Sequence, residues 1–247
     1  MSTTPAVLPI GMGATDYAFG QLDELSTRAT NLVMRGLNDS LSNNERVISL
    51  GTELQTIIDQ AVEIGNTTIN GQFILAGYKV DTKPFSIQKG ATFLDTMGKT
   101  VESQTVINSG DANTMQRRLG PDQLVTMNVP GTPVETFIAS LIQAKEAMTK
   151  SPYNVNSLQT AMVGLQSSLD TLSQYRTSNG VRMRQVESTA EFLNQVTTET
   201  KSLLSKKEDT NMAEAIASLS NQKITFQAVL EVSQRAISGL SLFDYMQ

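Results

Sequence analysis

A ladder of apolar residues, spaced alternately three and four apart, limits what this chain can become more than any other feature. Leu158, Met162, Leu165, Leu169 and Leu172 open it, and after Gly180 it resumes as Met183, Val186, Ala190, Leu193, Thr197, Thr200 and Leu204. This spacing keeps one stripe of a 3.6-residue helix on one side, as in the seam of a coiled coil. It predicts a helix from Asn154 to Ser205, roughly 80 Å long at a rise of 1.5 Å per residue. No ordinary globular domain needs such a rod. Its seam has to be covered by another long helix, and residues 15–70 are expected to supply it, running antiparallel.

The same periodicity appears nearer the N-terminus. From Thr15 the positions Phe19, Leu22, Leu25, Ala29, Leu32 and Gly36 share a face. Residues 38–42 read as a break. Ser42 and Glu45 then spell a capping box, in which the hydroxyl accepts from the Glu45 amide and the carboxylate reaches back. Val47, Leu50, Leu54, Ile57, Ile58, Ala61 and Ile64 continue as a second helix. Between about Phe73 and Pro130 the pattern changes to short β-favouring runs at residues 73–75, 105–107 and 124–129, separated by turn spellings such as Asn108 to Asp111. A helix returns with Thr132 as expected N-cap, Pro133 at the first helical position and Glu135 closing the box. Its expected buried stripe is Phe137, Ile138, Leu141, Ile142 and Met148, and Ser151-Pro152 ends it. A last helix is expected to open at another capping-box spelling, Ser205 to Glu208.

The predicted fold is therefore mainly α with a β-rich insertion, a rod of long antiparallel helices. Residues 14–72 and 132–206 form the rod, 73–131 the insertion, 207–247 a terminal assembly helix, and 1–13 a segment outside this pattern. Aromatic residues make up only 5% of the 247, which suits helices packed closely side by side rather than a broad globular core.

Chemistry is sparse. The chain has no Cys, His or Trp, so it has no thiolate nucleophile, imidazole base or His-ligated metal. Its net charge of −5, without a basic run, argues against nucleic acid, whose phosphates need clustered Lys and Arg. No apolar run approaches the roughly 20 residues of a membrane helix. Met1 to Met12 lack the charged and apolar regions of a cleavable signal. The acid pairs Asp23-Glu24 and Glu208-Asp209 read as exposed helix faces or starts, where carboxylates favour the helix dipole and solvent. Gly11 to Gly13 has neither the preceding strand nor the following Lys of a phosphate loop. Asn66 to Gly71 reads as a helix C-terminus. The Met residues read as core. No cofactor, metal, small-molecule substrate or catalytic residue is expected, and the chain is not expected to be an enzyme.

A run from Asn66 to Gly77, ending Gly-Gln-Phe-Ile-Leu-Ala-Gly and followed by Asp81-Thr-Lys-Pro-Phe85, resembles the hook–filament junction proteins of the bacterial flagellin superfamily, the third hook-associated proteins. That family carries Gly-Arg-Tyr-Leu-Phe-Ala-Gly and then Thr-x-Pro-Phe where its helical rod gives way to a β-domain. Leu25 to Leu32, Glu208 to Ile216, and Gln222 to Met246 with its ending Ser-Leu-Phe-Asp-Tyr-Met resemble the family's rod and terminal chain. The resemblance covers about residues 14–247. The family has a further long helix ahead of the position matching Gly13, and the twelve residues that precede Gly13 here do not match it.

The resemblance implies an extracellular adapter of the bacterial flagellum, exported without a cleaved signal. It would join hook to filament by helical self- and hetero-assembly. The implied partners are a neighbouring hook-associated protein, flagellin, an export chaperone and the chain itself. Three other readings stay open: flagellin itself, a cytoplasmic coiled-coil binding module, and a carboxylate-dependent hydrolase carried on the rod. The expected assembly interface is the apolar stripe Leu219, Phe226, Leu230, Ile237, Leu240, Leu242 and Phe243, because the rod seams cover one another and leave this helix without a partner.

Overall fold

The computed structural model describes the backbone of residues 7–38, 40–120 and 122–244, and the side chains of residues 11–38, 40–120 and 122–235. The chain divides into two units, Met1–Ala190 and Glu191–Gln247.

In the first unit, helix α1 spans Val7–Gly36, so it begins well before Thr15. A π-helical stretch, Glu45–Gly51, leads into α2, Thr52–Gly65. The capping box forms as spelled. The Glu45 amide donates to Ser42 Oγ at 3.3 Å, and Glu45 Oε2 accepts from the Ser42 amide at 3.0 Å. The Ser42 amide, and after it the Ser42 hydroxyl at 2.8 Å, donate to the Glu45 carboxylate and hold it below its ordinary value.

Helix α3 spans Thr132–Thr149. Here the expected cap is not realised. Gly131 is the N-cap and no side chain caps it; Thr132 is already helical, and Glu135 turns instead to the insertion, accepting from Asn108 Nδ2 at 3.0 Å. The expected stripe of α3 from Phe137 to Met148 is buried throughout.

Helix α4 spans Val155–Asp244. It does not restart at Ser205. Lys and Glu are good helix formers, and nothing after Ser205 interrupts the backbone hydrogen bonds, so a capping spelling in mid-helix has no free amides to cap.

The seam of α4 is covered by α1 within the first unit only; from Leu193 to Leu204 the expected cover is not there, and those side chains are exposed. Asn179 Nδ2 donates to the Met12 carbonyl at 2.9 Å, Arg176 Nε to Asp16 Oδ1 at 3.3 Å, and Tyr153 Oη to the Gly36 carbonyl at 2.9 Å. As α1 numbers rise the α4 numbers fall, so the pair is antiparallel. The main core joins Phe19, Leu22 and Leu32 of α1, Leu54, Ile57 and Ile58 of α2, Phe137, Ile138 and Leu141 of α3, and Leu158, Leu165 and Leu172 of α4. Each such side chain contributes about 1.5–3 kcal/mol relative to exposure, before entropy is set against it.

Among the described residues the β region holds three separate two-stranded antiparallel sheets, and it starts at Thr68, ahead of the expected Phe73. Strands β1 (Thr68–Ile69) and β2 (Gln72–Phe73) flank Asn70 and Gly71, whose φ values are 52° and 80°. These two residues make a hairpin turn, and α2 has already ended at Gly65 with Asn66 as its C-cap. Strands β3 (Phe85–Leu94) and β4 (Thr100–Asn108) form the longest pair, with a register shift between Lys89 and Thr92. Strands β5 (Gln116–Gly120) and β6 (Gln123–Thr126) form the third. A lone hairpin is marginal in water, and two of the three reach apolar clusters shared with the helices. Phe85 and Val106 enter the main core. Val125 forms a second, smaller cluster with Met12 and Val186.

The insertion meets the helices at Phe85, which is fully buried. Asn66 Nδ2 donates to the Phe85 carbonyl and Asn66 Oδ1 accepts from its amide, both at 2.9 Å. The ring fits between two glycines. A Cβ on Gly65 would lie 2.6 Å from Phe85 Cδ2, and one on Gly131 2.9 Å from Phe85 Cζ. A tie within the insertion lies at Gly77, whose φ is 70°. Beside it, Asp111 Oδ1 accepts from the amides of Tyr78 at 2.9 Å and Asn113 at 3.0 Å. These bonds, led by that of Tyr78, hold the Asp111 carboxyl below its ordinary value.

Candidate assembly surface

The ladder on α4 has two fates. Leu158, Leu165, Leu172 and Val186 are buried. In the second unit the same spacing continues without cover: Leu193 is 51% exposed and Leu204 55%.

Beyond Leu204, Ser205 to Asn211 interrupt the stripe with seven polar residues in succession. It resumes at Met212, Ile216 and Leu219 and continues through Lys223 to Phe226 and Leu230, alternating four and three. Leu219 is 66% exposed, Phe226 65% and Leu230 48%. Ile237, Leu240, Leu242 and Phe243 belong to the same expected interface, and their side chains lie outside the described residues.

Two further exposed residues, Ile224 and Val232, were not part of that expected stripe. At 100° per residue they fall on the opposite side of the helix from Leu219 and Phe226. Between Met212 and Val232 only Glu214, Lys223 and Glu231 are charged. The helix thus presents apolar side chains on more than one side. The clue was in the sequence: Ile224 and Val232 stand eight residues apart, with Ala228 midway.

Among the described residues no group of three His, Cys, Asp or Glu side chains could hold a metal ion. Asp23 and Glu24 are helix neighbours, about 100° apart around α1. Glu208 and Asp209 are exposed on α4. Gly11 to Gly13 lie inside α1, with Met12 buried in the second cluster. The remaining shifted groups are structural. Lys89 is raised by its hydrogen bond and ion pair with Glu102, 2.7 Å away. Burial lowers Lys145 against the opposing fields of Glu146 and Asp59. No helix among the described residues is long and apolar enough to cross a membrane.

No family model matches the chain. It is 26% identical over 192 residues, 70% of its length, to flagellar hook-associated protein 3 of Escherichia coli. It is 40% identical over 67 residues to the protein of the same name in Salmonella typhimurium. The matched regions span 58% and 20% of those proteins, so the chain covers less than two thirds of either. Among solved structures, the crystal structure of Xanthomonas campestris FlgL aligns with a TM-score of 0.68 at 14% identity, covering 82% of this chain and 95% of that one. The crystal structure of Bacillus cereus FlgL aligns with a TM-score of 0.62 at 19% identity, covering 78% and 88%. The fold is that of these proteins, and the resemblance read from Asn66 to Phe85 and from the terminal chain agrees with the sequence matches.

Proposed function

We propose that this chain is a structural subunit of the bacterial flagellum that joins hook to filament. The likeness to flagellar hook-associated protein 3 carries the reading. On this reading the helical first unit is the rod, and the part of α4 beyond Ala190 is the element by which subunits associate. Its neighbours would be another hook-associated protein on one side and flagellin on the other, with a chaperone covering the apolar stripe before export. The location is extracellular, reached without a cleaved signal. A coiled-coil module of the cytoplasm gains no support from these likenesses.

The uncovered stripe supplies the driving force. Burying Leu219, Phe226 and Leu230 against neighbours contributes about 1.5–3 kcal/mol per side chain before the entropy of association is subtracted. Stacking one face against a different face of the next copy makes an open helical array rather than a closed ring.

The test is sedimentation of the purified chain across a range of concentrations, alone and with the neighbouring hook-associated protein. Wild-type chain is expected to associate. The double variant Phe226→Ser/Leu230→Ser is expected to stay monomeric while its melting transition is unchanged. A variant that associates as wild type, or that unfolds as a whole, rejects the stripe as the assembly element. Immunogold labelling of flagella tests the location separately, and label along the filament instead of at the hook boundary rejects the junction role.

A further inference from the structure

The α1–α4 pair has a gap in its apolar packing. The buried part of the main core ends at Phe19 on α1 and Leu172 on α4, with half-buried Tyr175 packed at its edge. The second cluster begins at Met12 on α1 and Met183 on α4. Between Leu172 and Met183 the one fully buried residue of α4 is Asn179. On α1 Thr15, one turn from Met12, is also buried. The bonds that cross this level are polar: Asn179 Nδ2 to the Met12 carbonyl, and the Arg176–Asp16 ion pair at 3.3 Å.

Both helices also carry glycines here that packing does not require. A Cβ placed on Gly11, Gly13 or Gly180 would meet nothing within 4 Å. Gly164 in the main block is equally free, so it is the pairing of such glycines on both helices at one level that marks this place; on α1 in the main core, a Cβ on Gly36 would lie 2.6 Å from Met148 Cε. A helix-interior glycine lacking such a reason still loosens its turn, because its unfolded backbone has more freedom to lose. Thr15 Oγ1 donates to the Gly11 carbonyl at 2.9 Å, a back-bond of the kind that bends helices. A cavity of about 450 Å³, lined in part by Phe19, Leu172, Arg176 and Gly180, opens beside the same level. The turns therefore have space into which to move.

We infer that the helical pair is jointed here: Gly11 to Asp16 and Arg176 to Gly180 form a flexure between two apolar blocks. The main core is one block. The small cluster of Met12, Val125, Met183 and Val186, with the β5–β6 hairpin, is the other. Weak loosened turns on both strands at one height let the second block tilt without breaking either core.

Hydrogen exchange and spin-label distances on the full chain test it. The chain has no native cysteine, so Gln159→Cys, Ser173→Cys and Glu187→Cys label exposed positions at equal spacing along α4. The Ser173–Glu187 distance distribution is expected to be broader than the Gln159–Ser173 distribution. Amides at 179–184 are expected to exchange faster than those at 160–172. In the double variant Gly13→Ala/Gly180→Ala, exchange at 179–184 is expected to slow about fivefold, the equivalent of the ~1 kcal/mol by which Ala exceeds Gly in a helix interior. The Ser173–Glu187 distribution should narrow with it. Equal widths in the wild type, or exchange at 179–184 no faster than at 160–172, overturn the joint. So does an Ala variant that leaves both readouts unchanged.

Discussion

Asn66 pairs with Phe85 through both atoms of its amide, as a neighbouring strand would through its backbone. An aspartate has the same shape but cannot donate from that position, and it would set a negative charge against the Phe85 carbonyl. Asn66→Asp is therefore expected to lower stability by about 1–3 kcal/mol, the range for leaving a buried acceptor without its donor, read as a fall in the urea midpoint. A drop much smaller than this would mean that Phe85 is held by ring packing between Gly65 and Gly131 alone. The sequence placed Asn66 in a recognisable motif but could not show this pairing, because its partner is 19 residues away. Thr132 shows the opposite case. Its local spelling was right for a cap, and a tertiary contact to Asn108 took Glu135 away from it.

Periodicity made the helices legible almost throughout, since an apolar stripe is a local property of the chain. Strand β3 was not legible: Ser86, Gln88 and Lys89 dilute its β-favouring residues, Gly90 sits at its register shift, and most of its side chains are exposed. Cover, however, is not local. Leu165 and Leu204 stand in the same ladder with the same spacing, yet one is fully buried and the other half exposed. Leu165→Ala is expected to cost about 2–5 kcal/mol, and Leu204→Ala to fall within about 0.5 kcal/mol of wild type in the isolated chain. Thermal or urea unfolding of the two variants makes the comparison. Similar losses would show that the ladder beyond Ala190 is covered in solution as well.

At the scale of the whole chain, the two units differ in what keeps them folded. Residues 1–190 have two apolar clusters, whereas every described side chain of residues 191–235 is exposed. A helix without tertiary contacts is only marginally stable in water. Limited proteolysis is expected to cut first after about residue 190 and leave a fragment that melts at the temperature of the intact chain. A first cut within the β hairpins would contradict this ordering.

The antiparallel register of α1 and α4 also decides how the first unit bears load. Val7 and Ala190 leave it at the same end, near the pairing of Met12 with Asn179, while Gly36 and Tyr153 close the other. Tension drawn between α4 and the far turn at Asn38 strains the whole seam in shear, every contact sharing the force. Tension that separates Val7 from Ala190 peels the seam open, one layer at a time, beginning at the smaller cluster. The same set of contacts is thus strong along its length and weak at its mouth.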